Sequence, residues 1–173
     1  MRDVNLPKPV LEQAGNSIIH FARFQTAEIR RGDEVLAIPK ILLLSDDEME
    51  TAALRELLCE HVLLTPVDDI AELAVHLENS QYDAIFCPWS FHHGRWGEAL
   101  SQIQRRDPDL PVIIFSRTGG EREWIEVLES GAFDLLVAPY RRSDILGVLE
   151  QARASYEGRR RNLGRWSHQL KAV

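Results

Sequence analysis

Cysteine is scarce in this sequence, and long apolar runs are absent. Cys59 and Cys87 are the only two cysteines among 173 residues, too few for a disulfide framework. No apolar run approaches the roughly 20 residues that a membrane-spanning helix needs. The amino-terminal segment MRDVNLPKPV lacks the apolar core of a secretory signal. We therefore expect reduced thiols and a cytoplasmic protein.

A glycine-rich phosphate-binding loop is also missing. The first strongly apolar run, Ile41–Leu44, is followed by Ser45, Asp46, Asp47 and Glu48. Acidic side chains repel a phosphate group, so these residues disfavour a nucleotide site of the Rossmann type. No nucleophile and base can be paired from the sequence either, so an unrelated α/β enzyme is the least favoured reading and we expect no enzymatic activity.

The composition is that of a globular protein with an uneven charge. Apolar residues make up 45% and charged residues 27% of the chain, which is ordinary for a folded domain. Residues 1–150 hold 14 basic and 26 acidic residues, a net charge of −12, whereas residues 151–173 hold six basic residues and one acidic residue, a net charge of +5. The basic tail predicts either a solvated helix end or a contact with an acidic partner.

Short apolar runs alternate with helical patterns along most of the chain. Five such runs are predicted strands: Ile41–Leu44, His61–Leu64, Ala84–Cys87, Pro111–Phe115 and Leu135–Val137. Each is followed by apolar residues at helical spacing. This alternation predicts an α/β fold with a doubly wound, five-stranded parallel sheet of flavodoxin-like strand order 2-1-3-4-5.

Extensions flank this predicted domain, which spans residues 40–154. Residues 1–39 form either a short hairpin, turning at Arg31-Gly32-Asp33, or a partly ordered arm. Residues 155–173 predict a basic amphipathic helical tail that continues the fifth helix and is broken or kinked near Gly158 and Gly164. Ser45 or Asp46 is the expected cap of the first helix, and Ser143 that of the fifth.

The end of the third predicted strand carries no reactive group. In a doubly wound sheet, ligands and chemistry lie past the carboxyl ends of the strands. The residue there is Pro88 or Trp89, depending on whether the loop is counted from Asp83 or from Gly97. Neither side chain can take a proton, attack an electrophile or bind a metal.

Four segments together resemble the response-regulator receiver (CheY-like) domain. They are ILLLSDDE, YDAIFCPW, DPDLPVIIFS and ESGAFDLLVAPYRRSDIL, within a resemblance that spans about Lys40 to Ala154. The resemblance implies a module of a bacterial two-component or phosphorelay system that acts through partner proteins. It also implies a site with acids for Mg²⁺, an aspartate that accepts a phosphoryl group, a hydroxyl, a lysine and an aromatic switch residue.

Most of those implied groups are missing here. Asp46 falls on one of the two implied acidic positions, whereas Ser45 stands in place of the second acid and Asp47 is its possible substitute. The implied aspartate position holds Pro88 or Trp89, and the hydroxyl position holds Ser116. The lysine position holds Ala138, and the switch position holds Leu135. The resemblance is therefore to a degenerate pseudo-receiver that cannot be phosphorylated on aspartate at the usual place. Asp46 and Asp47 are at most weak ligands for Mg²⁺.

Other residues near this site have two readings each. The aromatic side chains of Trp89, Phe91 and Trp96 either fill the emptied pocket or form an exposed patch for a partner. His92-His93 is expected to be a solvated loop, the alternative being a metal or pH-sensing site, and Cys87 is expected to be a small buried residue rather than a redox group. Residues singled out as candidate partner contacts are Trp96, Tyr140 and Trp166.

The preferred hypothesis is a phosphorylation-independent module that acts by protein contact, with a homodimer favoured by the long fifth helix. One alternative is a regulator phosphorylated at a non-standard residue. Another is a nucleic-acid binder that uses Arg159, Arg160 and Arg161. The tail also carries an apolar stripe of Tyr156, Leu163, Trp166 and Leu170, which needs a partner.

Overall fold

A computed structural model describes residues 28–31, 34–92 and 94–170, and it describes side chains between residues 38 and 161, except at residue 93. The chain divides into two compact units, residues 1–37 and 38–173. In the first unit, β1 (Glu28–Arg31) pairs with β2 (Glu34–Ala37) in an antiparallel ladder. The predicted turn at Arg31-Gly32-Asp33 lies mostly outside the described residues.

The second unit alternates strands and helices. Its elements are β3 (Lys40–Leu44), α1 (Glu48–Leu58), β4 (Leu63–Val67), α2 (Ile70–Asn79), β5 (Ala84–Pro88), β6 (Ser90–Phe91), β7 (Gly94–Arg95), α3 (Trp96–Arg106), β8 (Val112–Ser116), α4 (Glu121–Glu129), β9 (Asp134–Val137) and α5 (Arg142–Leu170). Five strands form a parallel sheet in the order β4-β3-β5-β8-β9. This order confirms the predicted 2-1-3-4-5 arrangement of a flavodoxin-like α/β fold.

Both faces of the sheet are buried, which explains the unbroken apolar runs. On one face, Leu42 and Ile85 pack with residues of α2, α3 and α4. On the other face, Leu43 and Phe86 pack with residues of α1 and α5. Successive strand residues point to opposite faces, so a strand covered on both sides must be apolar at every position.

Three local predictions were wrong. The strand predicted at His61–Leu64 begins at Leu63, because the N–H groups of His61 and Val62 both bond to the carbonyl of Leu58 and prolong the turn after α1. Asp47, rather than Ser45 or Asp46, caps α1. Ser143 lies inside the first turn of α5, where its hydroxyl donates to Asp144 at 3.0 Å.

The last helix is more continuous than the sequence suggests. α5 runs unbroken for 29 residues, so the predicted break near Gly158 and Gly164 is absent. A glycine costs only about 1 kcal/mol relative to alanine inside a helix, which neighbouring contacts can offset. No helix within the described part of the chain has the length and apolarity to cross a membrane.

One glycine is required by the backbone. Gly131 follows α4 with φ at +90°, and its N–H bonds to the carbonyl of Leu128 at 3.0 Å. This left-handed conformation ends the helix, as the sequence predicts.

We expect Gly131→Ala to lower the free energy of unfolding by roughly 1–2 kcal/mol, because a side chain disfavours positive φ by that amount. Gly147→Ala is the matched control, since Gly147 lies within α5 with open space around it, and it should raise stability by about 0.5–1 kcal/mol. Urea unfolding followed by circular dichroism measures both. Equal effects of the two substitutions would contradict the prediction.

Candidate functional site

A cavity of about 280 Å³ opens at the carboxyl edge of the sheet, where β3, β5 and β8 end. The residues that line it are Asp46, Asp47, Glu50, Pro88, Trp89, Ser90, Phe115, Ser116, Arg117 and Thr118. This is where a doubly wound sheet places its chemistry. The fold thus brings together most of the residues that the sequence places at the candidate site, and Ala138 joins them through a backbone bond from its N–H to the carbonyl of Ser116 at 2.9 Å.

The three residues after β3 have separate roles. Ser45 is buried, and its hydroxyl lies 3.3 Å from both the N–H and the carbonyl oxygen of Asp47. The exposed carboxylate of Asp46 accepts a hydrogen bond from the backbone N–H of His92. The carboxylate of Asp47 accepts from the N–H groups of Met49 and Glu50 at 2.9 and 3.0 Å. Both acids are therefore already engaged by protein donors.

Arg117 adds a cation that the sequence reasoning missed. It follows β8 directly, and its guanidinium pairs with the second carboxylate oxygen of Asp47, 70 residues earlier in the chain. The Glu50 N–H and then the Arg117 guanidinium lower the pKa of Asp47 against the opposing effect of desolvation. The sequence signal that could have predicted this ion pair is a basic residue directly after a strand whose carboxyl end lies at the same sheet edge as Asp46 and Asp47.

Pro88 is the last residue of β5, in register with Phe115 of β8. The next residue, Trp89, donates its N–H to the carbonyl of Phe115 at 2.7 Å. Pro88 and Trp89 both line the cavity. Proline has no side-chain oxygen and no N–H, so Pro88 at the end of the central strand offers the cavity neither a side-chain nucleophile nor a side-chain metal ligand.

An aromatic hairpin follows Pro88. β6 and β7 pair through Ser90 with Arg95 and Phe91 with Gly94. Phe91 and Trp96 are 8% and 4% exposed, and the rings of Trp89 and Trp96 lie 5.7 Å apart. The prediction that Trp96 contacts a partner is therefore wrong for this conformation, because its ring belongs to the core. Of the two readings, pocket filling describes Phe91 and Trp96.

Tyr140 and Trp166 are the other two candidate partner contacts. Tyr140 is half-buried, its ring packs edge-on to Phe115 at 5.0 Å, and its hydroxyl donates to Glu50 at 3.1 Å. Burial and the nearby Glu50 carboxylate raise the pKa of Tyr140. Trp166 lies in α5, and its side chain is outside the described residues.

The residues at the implied hydroxyl and switch positions, Ser116 and Leu135, are both buried. Ser116 is 4% exposed, and its hydroxyl donates to the carbonyl of Thr118 within the same turn. Leu135 is 7% exposed and belongs to the core. Ala138, the position implied for a lysine, has no charge and precedes Pro139 across a cis peptide bond. Ser116 is the only one of the three with a polar side chain, and its hydroxyl is used internally.

The residues present do not fit a magnesium ion. Mg²⁺ demands near-octahedral oxygen ligands, usually one or two carboxylates with several waters and a substrate oxygen. Asp46 and Asp47 accept bonds from backbone donors and Arg117, and Pro88 provides no side-chain oxygen. Within the described residues, no group of three histidine, cysteine or acidic side chains is arranged to hold a metal.

Cys87 and His92 lie close to the cavity in the chain. Cys87 is fully buried, and burial raises the pKa of its thiol, the opposite of what a reactive thiolate needs. Cys59 and Cys87 are both free thiols. His92 contributes its backbone N–H, whereas His93 lies outside the described residues.

A match to a protein-family model places the chain in a known family. The family model for the response regulator receiver domain matches residues 41–150, well over half of the sequence. The chain therefore belongs to the receiver domain family of two-component response regulators.

Two characterised relatives illustrate the match. The chemotaxis protein CheY of Listeria monocytogenes is 36% identical over 55 residues, covering 32% of this chain and 46% of that protein. The transcriptional regulatory protein YpdB of Escherichia coli K12 is 27% identical over 121 residues, covering 68% of this chain and 49% of that protein. The chain thus spans about half the length of these relatives.

Solved structures agree on the fold. A receiver domain of an HD domain-containing protein from Pseudomonas fluorescens superposes with a TM-score of 0.66 at 19% identity, covering 76% of this chain and 98% of that one. The receiver domain of the Francisella response regulator 1452 gives a TM-score of 0.59 at 23% identity, covering 69% and 97%. At these identities the likeness concerns the fold alone.

The two roles of Asp47 can be separated by substitution. Asp47→Asn keeps an oxygen that caps α1 but loses the charge that pairs with Arg117, whereas Asp47→Ala loses both. We expect Asp47→Ala to lower Tm more than Asp47→Asn does, measured by thermal denaturation at neutral pH. Equal losses would show that the cap contributes nothing.

The same group predicts a pH dependence. The pKa of Asp47 is lower in the folded protein than in the unfolded chain, so its contribution to stability is present above the unfolded pKa of about 3.9 and is lost as pH falls through the lower folded value. The Tm of the wild-type protein should therefore fall more than the Tm of Asp47→Asn when the pH is lowered from 6 to about 3, roughly the range in which carboxylates titrate. Parallel losses in the two proteins would contradict this assignment.

Proposed function

We propose that this chain is a receiver-family signalling module that works without aspartyl phosphorylation, without catalysis of its own and by protein contact. The observation that carries the proposal is Pro88 at the carboxyl end of β5, facing the cavity where the family's chemistry lies. Phosphoryl transfer to a receiver needs a carboxylate oxygen as the nucleophile, and Pro88 cannot supply one.

The charge balance of the cavity supports the proposal. Neighbouring carboxylates disfavour one another's charged form, and a nearby cation or hydrogen-bond donor offsets this effect. Here Arg117 pairs with Asp47, and Tyr140 donates to Glu50. The acids are thus stabilised by groups of the chain itself. The conformation of these side chains therefore does not depend on a bound metal ion or phosphoryl group.

The loop between β8 and α4 provides a second line of support. Ser116 bonds to Thr118 inside the loop, and Arg117 ties the loop across the cavity to the start of α1. A hydroxyl in this position could bond to a phosphoryl oxygen only by giving up its present partner. We infer that the loop is held in one conformation rather than switched.

The aromatic hairpin provides a third. Trp89 lies at the cavity wall with Arg95 stacked on its ring, 5.7 Å from guanidinium carbon to ring centroid. Gly94 admits the hairpin because a Cβ there would lie 2.9 Å from the Phe91 ring. The cavity wall beside Pro88 is therefore partly aromatic and adds no carboxylate.

A surface suited to a protein partner lies on α4 and the edge strand β9. Trp124, Ile125 and Val137 are 46%, 41% and 39% exposed, and the indole N–H of Trp124 bonds to Asp134 at 3.0 Å. Large apolar side chains exposed together are typical of interaction sites. We propose that this face contacts a signalling partner and that the long α5 forms a homodimer.

The contacts of the arginines disfavour nucleic-acid binding. Arg159 pairs with Asp109 at 3.1 Å, Arg161 pairs with Glu157 at 2.9 Å, and Arg160 lies over the Tyr156 ring. Affinity for nucleic acid rests on cations that neutralise phosphates. Two of the three predicted cations are already neutralised within the chain.

Intact-mass spectrometry after incubation with acetyl phosphate and Mg²⁺ tests phosphorylation independence. We expect no gain of a phosphoryl group by the wild-type chain, beside an authentic receiver domain that is labelled under the same conditions. Pro88→Asp is the matched variant, because it restores a carboxylate and leaves the rest of the cavity unchanged, and we expect it to gain a hydroxylamine-sensitive adduct. An adduct on the wild-type chain would sink the proposal, and peptide mapping would then identify a non-standard phosphorylated residue.

A further inference from the structure

A second cavity, of about 200 Å³, lies at the amino-terminal edge of the sheet, at the opposite end of the strands from the cavity beside Pro88. It forms where α5 passes the carboxyl ends of α2 and α3. Ser80 follows α2, Arg106 ends α3, and Tyr156 and Arg160 lie on α5. The function proposed above makes no use of this cavity.

Part of the cavity wall is apolar and is held by the core. Tyr82 and Leu110 come shortly before β5 and β8 and are 8% and 6% exposed, and Tyr156 is 6% exposed. Leu77 of α2 packs against the same core cluster. Because the core fixes these side chains, the apolar wall is formed before any ligand binds, as is usual for small-molecule sites.

The acid that lines the cavity, Asp107, already has donors within the chain. One of its carboxylate oxygens accepts from the Tyr156 hydroxyl at 2.6 Å, and the other accepts from the Asp109 N–H at 3.1 Å. Burial and the bond to Asp107 raise the pKa of Tyr156 to about 12, so the phenol keeps its proton and this bond at neutral pH. These donors offset part of the negative charge of Asp107.

The arginines near this edge differ in their partners. Arg106 lies in the last turn of α3, where it offsets the partial negative charge of the helix end, and it pairs with Glu78 at 3.2 Å. Arg160 lies over the ring of Tyr156, 5.4 Å from guanidinium carbon to ring centroid, and has no ion-pair partner among the side chains that the structure describes. Three further arginines of α5 are each paired with an acid: Arg153 with Asp83, Arg159 with Asp109 and Arg161 with Glu157.

Arg160 is thus a cation beside an apolar wall. A guanidinium binds a carboxylate through two parallel hydrogen bonds. A dry, apolar cavity of about 150 Å³ can hold benzene, so a cavity of about 200 Å³ has room for one ring with a small substituent. A ring also packs favourably against tyrosine rings such as those of Tyr82 and Tyr156.

We propose that this cavity binds a small aromatic carboxylate, with its ring against the apolar wall and its carboxylate on Arg160. A single negative charge suits the site better than a phosphate, because Asp107 and the negative ends of α2 and α3 are also nearby. The inference goes beyond the proposed function, since it concerns the other edge of the sheet and does not depend on whether the chain is phosphorylated.

Titration of the full chain with benzoate, followed by amide chemical shifts in NMR spectra, tests the proposal. We expect saturable binding with a Kd of about 10 mM or lower, the weak end of the range for a ligand of about nine non-hydrogen atoms. The largest shifts should fall on the amides of Gln81, Leu110 and Tyr156, which line the cavity.

Two substitutions separate the proposed contact from a general effect of charge. Arg160→Gln should raise the Kd for benzoate at least tenfold, because it removes a charge-assisted pair. Arg161→Gln is the matched control, since Arg161 is the next residue of the helix and pairs with Glu157 outside the cavity. It should leave the Kd within about twofold, as is usual for surface substitutions.

Two further probes separate the parts of the ligand. Benzamide keeps the ring without the charge, and acetate keeps the charge without the ring, so each should bind the wild-type chain at least tenfold more weakly than benzoate. Equal affinity for benzamide overturns the carboxylate contact, and equal affinity for acetate overturns the role of the ring.

The remaining outcomes bear on the cavity itself. The absence of saturable benzoate binding overturns the proposal, and so does an unchanged Kd in Arg160→Gln. Shifts confined to the cavity beside Pro88 would place the ligand at the other edge and overturn it as well. None of these results changes what the acetyl phosphate experiment says about phosphorylation.

Discussion

Burial of the parallel sheet on both faces is the constraint on which the rest of this molecule depends. Because helices cover both faces, the central strands carry apolar side chains such as Leu42, Leu43, Ile85 and Phe86. Polar chemistry is thereby confined to the two edges where strands begin and end. Each edge holds a group of acids, and in each case an arginine from elsewhere in the chain lies against them.

The two edges put this arrangement to different uses. At the carboxyl edge, Arg117 pairs with Asp47 and joins the start of α1 to the loop before α4. At the amino-terminal edge, Asp83 and Asp109 receive arginines of α5 and fix the direction in which that helix leaves the domain. Exposed ion pairs contribute little stability one at a time. Their value here is positional, because they link elements that are distant in sequence.

The groups at the carboxyl edge are engaged within the chain. Pro88 offers no side-chain nucleophile, Ala138 carries no charge, and the hydroxyl of Ser116 donates within its own loop. Arg117 pairs with Asp47, and Tyr140 donates to Glu50. These contacts are the basis of our proposal that the module acts by contact rather than by modification.

The residue types at the carboxyl edge and the stop at Gly131 could be predicted from the sequence because each depends on a local pattern of charge or backbone conformation, and the strand order could be predicted because general rules of α/β topology restrict it. The sequence did not reveal that Arg117 reaches Asp47, that Trp96 is core rather than surface and that α5 runs through Gly158 without a break. Those outcomes depend on distances between residues far apart in the chain. Side-chain burial and long-range ion pairs are set by how the layers pack, and no periodicity in the sequence records them.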